Sequence, residues 1–504
     1  MTKYIMLQGT GSNVGKSVLT AALCRILKQD GRHVAPFKAQ NMALNSFVTK
    51  DGREMGRAQA VQAEAAMIEP RVEMNPILLK PSGSASSQVI VMGRPVGTMS
   101  AAAYHNDYAA RAFRFVQEAL SLLAGEYEVL VIEGAGSPAE INLKANDIAN
   151  MRVAKYLRAP VLIVADIDRG GAIASLVGTL ALLDEEERSL VKGFIINKFR
   201  GDINILRPAL DFLQDKTGLP VLGVLDYMEK LDIDDEDSVA LDGRKSQAGG
   251  IRIAVIRLPR ISNFTDFAVL EAEEDVQVAY VRDAAELGAP DLIVVPGSKN
   301  TTEDLLFLKK SGLESQIISL NKKGVPVIGI CGGYQMLGEQ LKDPEHTESE
   351  IGQLAGMALL PVITTFAADK VTRQVTACAR GNNFLRMDFS ADGLAGYEIH
   401  MGRSEYTKAA PSAFWLDRGE GETAADGAVR ADGLVMGTYL HGLFDNDPFR
   451  HALIDKLRAN KGLSAVQGRL SAAERKERAY GRLADAARAR LDLERIYALM
   501  GLSE

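Results

Sequence analysis

Apolar residues in this chain fall into short runs separated by stretches in which they recur every three or four positions. The runs at 4–8, 33–37, 129–133, 161–166, 194–197 and 221–224 predict buried strands with helices between them, the pattern of a parallel sheet covered by helices. A second series starts at 251–256 and continues through 291–297 and 325–331, predicting another sheet of the same kind. Between the two, residues 231–250 turn acidic and then small and polar, as a linker does. From about 357 to 440 the pattern is richer in strand signals. Beyond 465, Ala, Arg, Glu and Leu recur at helical spacing and predict a terminal amphipathic helix packed against its own domain. The expected fold class is α/β, with two doubly wound domains at 1–230 and 251–445, a linker at 231–250 and a helical C-terminal tail at 446–504.

The length of 504 residues agrees with two or three domains, and 47% apolar with 24% charged residues is an ordinary globular composition. A net charge of −7 gives no global attraction to nucleic acid or anionic lipid, so a polyanionic ligand must meet a local positive site. No run approaches the ~18 apolar residues of a membrane span, and the first residues lead into a Gly-rich loop without the apolar core of a signal peptide. No nucleic-acid partner and no membrane are therefore expected. The three cysteines, Cys24, Cys331 and Cys378, are odd in number and scattered, which favours a reducing, cytoplasmic setting.

Residues 9–17 read Gly9-Thr-Gly-Ser-Asn-Val-Gly-Lys-Ser17, after a predicted strand and before a helical pattern that Gly31 stops. A strand, Gly-rich loop and helix in that order aim backbone N–H groups and the positive end of the helix dipole at phosphate. Lys16 would reach the outer phosphates and Ser17 would ligate Mg²⁺. The candidate ATP contacts are Gly9, Thr10, Gly11, Asn13, Gly15, Lys16 and Ser17, with Thr10 where the strict motif has glycine. Cys24, on the following helix, reads as a small core residue. The variant loop, together with Val129-Leu-Val-Ile-Glu-Gly-Ala-Gly136, resembles the dethiobiotin synthetase branch of P-loop proteins, which activate carboxylates. That resemblance implies a P-loop NTPase-like first domain, Glu133 as a second Mg²⁺ ligand, and Asn197 as a contact to the base. The partitioning ATPases of this fold carry a lysine at the position of Gly11, whose absence here argues against such a switch.

In the second domain, Pro326-Val-Ile-Gly-Ile-Cys-Gly-Gly333 places Cys331 between a strand and a helical pattern, flanked by glycines. Such an elbow exposes a nucleophile, while the helix N-terminus favours the thiolate and the Gly332 N–H can stabilise an oxyanion. A second oxyanion donor is expected at Gly297. Of six histidines, His441 ends a predicted strand with a glycine beside it, as a general base for Cys331. Elbow and late histidine resemble the class I glutamine amidotransferases over about 251–445. Where most of that class has a glutamate two positions after the histidine, this chain has Leu443, a departure shared by the branch that amidates cobyrinic acid.

The phrases Pro36-Phe-Lys-Ala-Gln-Asn-Met-Ala-Leu-Asn-Ser46 and Gly396-Tyr-Glu-Ile-His-Met-Gly-Arg403 extend the resemblance over nearly the whole chain, to the cobyric acid synthase family. The resemblance implies ATP- and glutamine-dependent amidation of the b, d, e and g carboxylates of adenosylcobyrinic acid a,c-diamide. Its partners are then small molecules: the corrinoid, glutamine and ATP. Lys38, Gln40, Asn41, Asn45 and His400 become candidate substrate contacts, and ammonia made at one site needs a shielded route to the other. Two alternatives stand beside this reading: the sister enzyme that amidates the a and c carboxylates, and a nucleotide-switch scaffold with an inactive glutaminase domain.

Overall fold

The computed structural model describes residues 2–82, 86–228, 231–234, 250–419 and 421–502. The chain divides into two units: Met1–Ala43 with Glu54–Glu236 and Lys476–Glu504, and Leu44–Arg53 with Asp237–Arg475.

In the first unit the predicted strands pair as a parallel sheet in the order Val221–Asp226, Val191–Phe199, Val161–Asp166, Lys3–Gly9, Val129–Glu133 and Val34–Phe37. Lys3–Gly9 is central, with Leu7 opposite Glu133 and Gly9 opposite Val164, so the Gly-rich loop and Glu133 leave the same edge of the sheet. The helix Lys16–Gln29 buries Leu19, Leu23, Cys24, Ile26 and Leu27 against it. A smaller sheet of Gln40–Met42, Ile77–Pro81, Ser86–Val91 and Arg94–Ser100 was not expected from the sequence. Its edge strand Arg94–Ser100 is exposed almost throughout and therefore lacks the apolar alternation that marks a strand.

The helical tail is divided: the helix Asp447–Asn460 stays with the second unit, and only the later part leaves it. Residues from Lys476 onward belong to the first unit, where Tyr480, Leu483, Ala484 and Ala487, spaced along one helical face, join the core with Ile496 and Met500. Polar contacts fix the docking: Arg25 donates two 2.9 Å hydrogen bonds to Glu477, and Arg488 pairs with Asp30 at 2.5 Å. The expected linker is shorter at its start, because Asp234 accepts from Arg57 Nε at 2.9 Å within the first unit. Its remainder, residues 235–249, lies outside the described residues.

The second unit is built on a sheet in the order Val276–Val281, Ile251–Ile256, Leu292–Val295, Val327–Ile330, Val435–Thr438 and Ala428–Val429, parallel except for the last strand. The β-rich region is dominated by two long antiparallel strands, Val362–Asn382 and Phe389–Tyr406. The short stretch Leu44–Arg53 also folds here. Among the described residues no helix is long and apolar enough to cross a membrane.

One buried ion pair braces this unit. Arg450, 0% exposed, donates through Nε to Glu273 at 2.9 Å and through Nη1 to the Phe444 carbonyl at 2.9 Å. It ties the turn after His441 to the segment after Asp266. Glu273→Ala removes the buried carboxylate from this guanidinium and leaves it only the partly exposed Asp447, and breaking a buried pair from one side costs about 3–5 kcal/mol. A correspondingly lower urea midpoint for the second unit is the expected outcome.

Candidate functional site

At the elbow the strand Val327–Ile330 turns into the helix Gly332–Leu337 through Cys331, whose φ of 50° and ψ of −106° lie in a region that side chains disfavour. The turn is this sharp because Gly333 passes directly under the neighbouring strand: a Cβ there would sit 1.8 Å from the Val295 carbonyl oxygen. The Cys331 N–H donates to Thr438 O at 2.8 Å, and its thiol, 6% exposed, lies 3.5 Å from the Ile399 carbonyl. The two expected oxyanion glycines border the same place. A Cβ on Gly297 would come within 3.3 Å of His441 Cε1, and one on Gly332 within 2.9 Å of the Ser298 N–H nitrogen.

His441 sits beside the thiol, stacked at 5.0 Å and 13° on the Tyr397 ring and bridged to that residue's backbone in both directions. Its Nδ1 is 2.7 Å from Asp266 Oδ2, and Asp266 Oδ1 accepts from the Gly442 N–H at 3.0 Å. With Nδ1 occupied by the carboxylate, Nε2 is left for Cys331. The sequence left position 443 with a leucine and no acid; the structure supplies one from 175 residues upstream. Burial works against a charge on His441, but the Asp266 carboxylate, its hydrogen bond and the Cys331 contact outweigh burial and raise the imidazole to about 10. The strand end before it is fixed by a second buried acid: Asp426 accepts from the Thr438 hydroxyl and, at 3.1 Å, from the Tyr439 N–H. Burial is the main cause that lifts Asp426 to about 6.

His400 stacks on the Tyr439 ring at 3.9 Å, with Nδ1 2.8 Å from Gly402 O and Nε2 3.5 Å from Glu398. Glu398 is in turn held by Arg418 at 2.9 Å. His400 thus belongs to the wall behind the Cys–His pair. Asn45 is placed differently from the expectation of a substrate contact: it is fully buried in the second unit, with Oδ1 accepting from the Phe264 N–H.

In the first unit the loop from Gly9 to Ser17 closes on itself. Gly15 has φ 99°, and a Cβ there would meet Asn197 Nδ2 at 2.0 Å. Asn197 Nδ2 donates to Val14 O at 2.8 Å, so this side chain braces the loop. Asn13 O accepts from Lys198 Nζ at 2.6 Å. Lys16 Nζ donates to the carbonyls of Gly11 at 2.8 Å and Gly136 at 3.1 Å. Thr10 donates its N–H to Val164 O at 3.0 Å. Glu133, buried, accepts from the Ser17 hydroxyl at 2.7 Å and Lys38 Nζ at 2.9 Å on Oε1, and from Gln62 Nε2 at 2.6 Å on Oε2. Gln40 accepts from Tyr104 at 2.6 Å, and Asn41 donates to Gln59 at 3.1 Å.

Ser17 and Glu133 together offer hard oxygen donors, the type Mg²⁺ takes. Beside them the buried Gln62 Oε1 has no hydrogen-bond partner among the described residues, an acceptor suited to metal-bound water. Among the described residues no group of three or more His, Cys, Asp or Glu could hold a metal, so phosphate and water would complete such a shell.

Residues 5–239 match the family model of the CobQ/CobB/MinD/ParA nucleotide binding domain, and residues 252–449 that of the CobB/CobQ-like glutamine amidotransferase domain. Over 506 residues the chain is 54% identical to the cobyric acid synthase of Moorella thermoacetica, covering 100% of this chain and 98% of that protein. The chain belongs to the cobyric acid synthase family. The cobyric acid synthase of Desulfitobacterium hafniense is 54% identical over 507 residues, covering 99% and 98%, and that of Salmonella choleraesuis 50% over 507 residues, covering 99% of each. Membership assigns ATP use to the first unit and a glutamine amidotransferase domain to the second. In this cobyric acid synthase family member Asp266 is the site residue that motif spacing missed. Its one local signal is an acid between two phenylalanines, Phe264 and Phe267, in the segment that follows the strand Ile251–Ile256.

The pairing has a measurable pH signature. A group raised from an ordinary value of 6.5 to about 10 stabilises the fold fully below 6.5 and loses that contribution as pH rises toward 10. The urea midpoint of the native protein is therefore expected to fall between pH 6.5 and 10. Asp266→Asn, which removes the cause of the shift, is expected to flatten that fall.

Proposed function

We propose that the chain catalyses ATP- and glutamine-dependent amidation of the b, d, e and g carboxylates of adenosylcobyrinic acid a,c-diamide, giving adenosylcobyric acid in cobalamin biosynthesis. The observation that carries the reading is identity of 54% to cobyric acid synthases along the entire chain, with a Cys–His–Asp cluster and a P-loop in their respective units. A cytoplasmic setting suits the free thiol of Cys331.

In the second unit, Cys331 has already given its proton to His441 Nε2, in line with the raised imidazole, and Sγ attacks the amide carbon of glutamine as the thiolate. Asp266 holds the ring by Nδ1 and stabilises the imidazolium that forms. Backbone N–H groups near Gly297 and Gly332 receive the oxyanion. His441 then delivers the proton to the departing nitrogen, NH₃ leaves, and water hydrolyses the thioester to glutamate, restoring the thiol. In the first unit, backbone N–H groups of the Gly9–Ser17 loop cradle the triphosphate and Lys16 exchanges its loop carbonyls for phosphate oxygens. A substrate carboxylate oxygen attacks the γ-phosphorus and ADP leaves. The acyl phosphate is then open to NH₃, which forms the amide and expels inorganic phosphate. Ser17 and Glu133 would hold Mg²⁺, which supplies charge neutralisation of the phosphates when bound. Lys38 keeps the buried Glu133 paired.

Incubation with the a,c-diamide, Mg·ATP and glutamine, followed by mass spectrometry, is expected to give a product with four new amides. Absence of that product overturns the reading. Cys331→Ala is expected to reduce the glutamine-driven reaction to background and to leave the ammonia-driven one, whereas Lys16→Ala lowers both. Asp266→Asn is expected to slow glutamine hydrolysis by about 10²–10⁴-fold, the range for a mispositioned acid–base group.

A further inference from the structure

The turn that presents Asp266 does not cap itself. Asn263, at φ 51°, opens the short helical turn Phe264–Phe267, yet its side chain makes no cap hydrogen bond to that turn. The first N–H groups of any helical turn have no partner inside it. Here the Phe264 N–H is taken at 3.1 Å by Oδ1 of Asn45, while Asn263 Oδ1 accepts the Ser46 N–H at 3.0 Å. The two bonds are reciprocal, and Asn45, Ser46 and Asn263 are all nearly or fully out of water. Asp266 is anchored to the same turn by its own N–H, 3.1 Å from Asn263 O. A shift of the turn moves the carboxylate that His441 needs within 2.7 Å.

The same stretch supports the opposite side of the site. Val48 packs with Tyr397 and Ile399, and its carbonyl accepts from Gln374 Nε2. Tyr397 is the ring on which His441 stacks, and the Ile399 carbonyl faces the Cys331 thiol. Leu44–Arg53 therefore lies behind both the acid and the wall of the nucleophile, all within one unit. It falls outside residues 252–449 that match the amidotransferase domain.

We propose that Asn45 is a positioning residue of the amide-hydrolysing site, supplying from a distant stretch of the chain the cap that holds the Asp266 turn in register with His441. Leu44–Arg53 is then a working part of the glutaminase. The inference rests on the orienting role proposed for Asp266.

The test uses the full-length protein with Asn45→Ala, Asn263→Gly, Asp266→Asn and the double variant Asn45→Ala/Asp266→Asn. Asn263→Gly keeps a residue at ease with positive φ and removes only the side-chain acceptor. Glutamate release gives kcat and KM for glutamine, and ammonia-driven amidation in the same preparation reports an intact first unit. Asn45→Ala and Asn263→Gly are expected to lower kcat for glutamine hydrolysis about tenfold, the effect of one lost buried hydrogen bond. KM and the ammonia-driven rate should stay within about twofold of the parent. The double variant should be no slower than Asp266→Asn alone, because a residue that acts through Asp266 has nothing further to lose. Unchanged glutamine hydrolysis in Asn45→Ala overturns the proposal, and so does a double variant whose loss is the product of the two single losses. If Asn45→Ala loses both activities, Asn263→Gly decides by the same outcomes. An Asp266→Asn protein with full glutaminase activity instead overturns the orienting role itself, and the two failures are read separately.

Discussion

A carboxylate and an imidazolium cannot each be left alone in a protein interior, and the second unit is organised around keeping Asp266 and His441 together at 2.7 Å out of water. Neither partner comes from the element that carries the other. His441 ends the run from Val435–Thr438, and Asp266 sits on a turn after Ile251–Ile256. The pair therefore depends on everything that holds those two ends: the Arg450–Glu273 brace, the Asp426 contacts to Thr438 and Tyr439, and the Asn45–Phe264 bond. The sharp turn at Cys331 completes the set, since Gly333 under Val295 fixes where the thiol emerges.

The first unit treats its buried acid differently. Glu133 is neutralised by Lys38 and shared between Ser17 and Gln62, and Lys16 rests on carbonyls of its own loop. These are exchangeable contacts, in which the Ser17 hydroxyl and the Lys38 ammonium donate to the same oxygen of Glu133. In the Asp266 pair, by contrast, each carboxylate oxygen has its own fixed partner, His441 Nδ1 for one and the Gly442 N–H for the other. A fixed proton carrier serves a nucleophile that reacts in the same place every time, and an adaptable anion cradle serves a site whose ligand brings most of the charge.

What could be read from the sequence was what local backbone chemistry dictates. The Gly9–Ser17 loop and the Cys331 elbow are legible because glycine spacing between a strand and a helix specifies the path of the chain and not only its composition. His441 was legible because a histidine at a strand end beside a glycine is uncommon among six. Asp266 was not, because its partnership is made by packing across 175 residues and no periodicity marks it. Asn197 and Asn45 show the limit of arguing from position alone. Both lie where motif reading places ligand contacts, and each also bonds a backbone group that position does not reveal, one in the loop and one in the turn. The helical stripe of Tyr480, Leu483 and Ala487 was visible as a stripe, but an amphipathic face does not say which core it will join.

That last stripe bears on how the protein is made. Domains are usually completed in the order in which the ribosome releases them. Here the first unit draws on residues up to 43, on 54–236 and again on the chain from 476, so its core stays open on the face of the helix Lys16–Gln29 until the chain from 476 has been made. The unit encoded in the middle has Leu44–Arg53 waiting for it and can close before its neighbour does. During that interval the face of the helix around Arg25 belongs to a nascent surface, with neither the Glu477 carboxylate nor the Tyr480 ring beside it. The segment from Lys476, made after both sites, acts as the seal on the nucleotide-binding half.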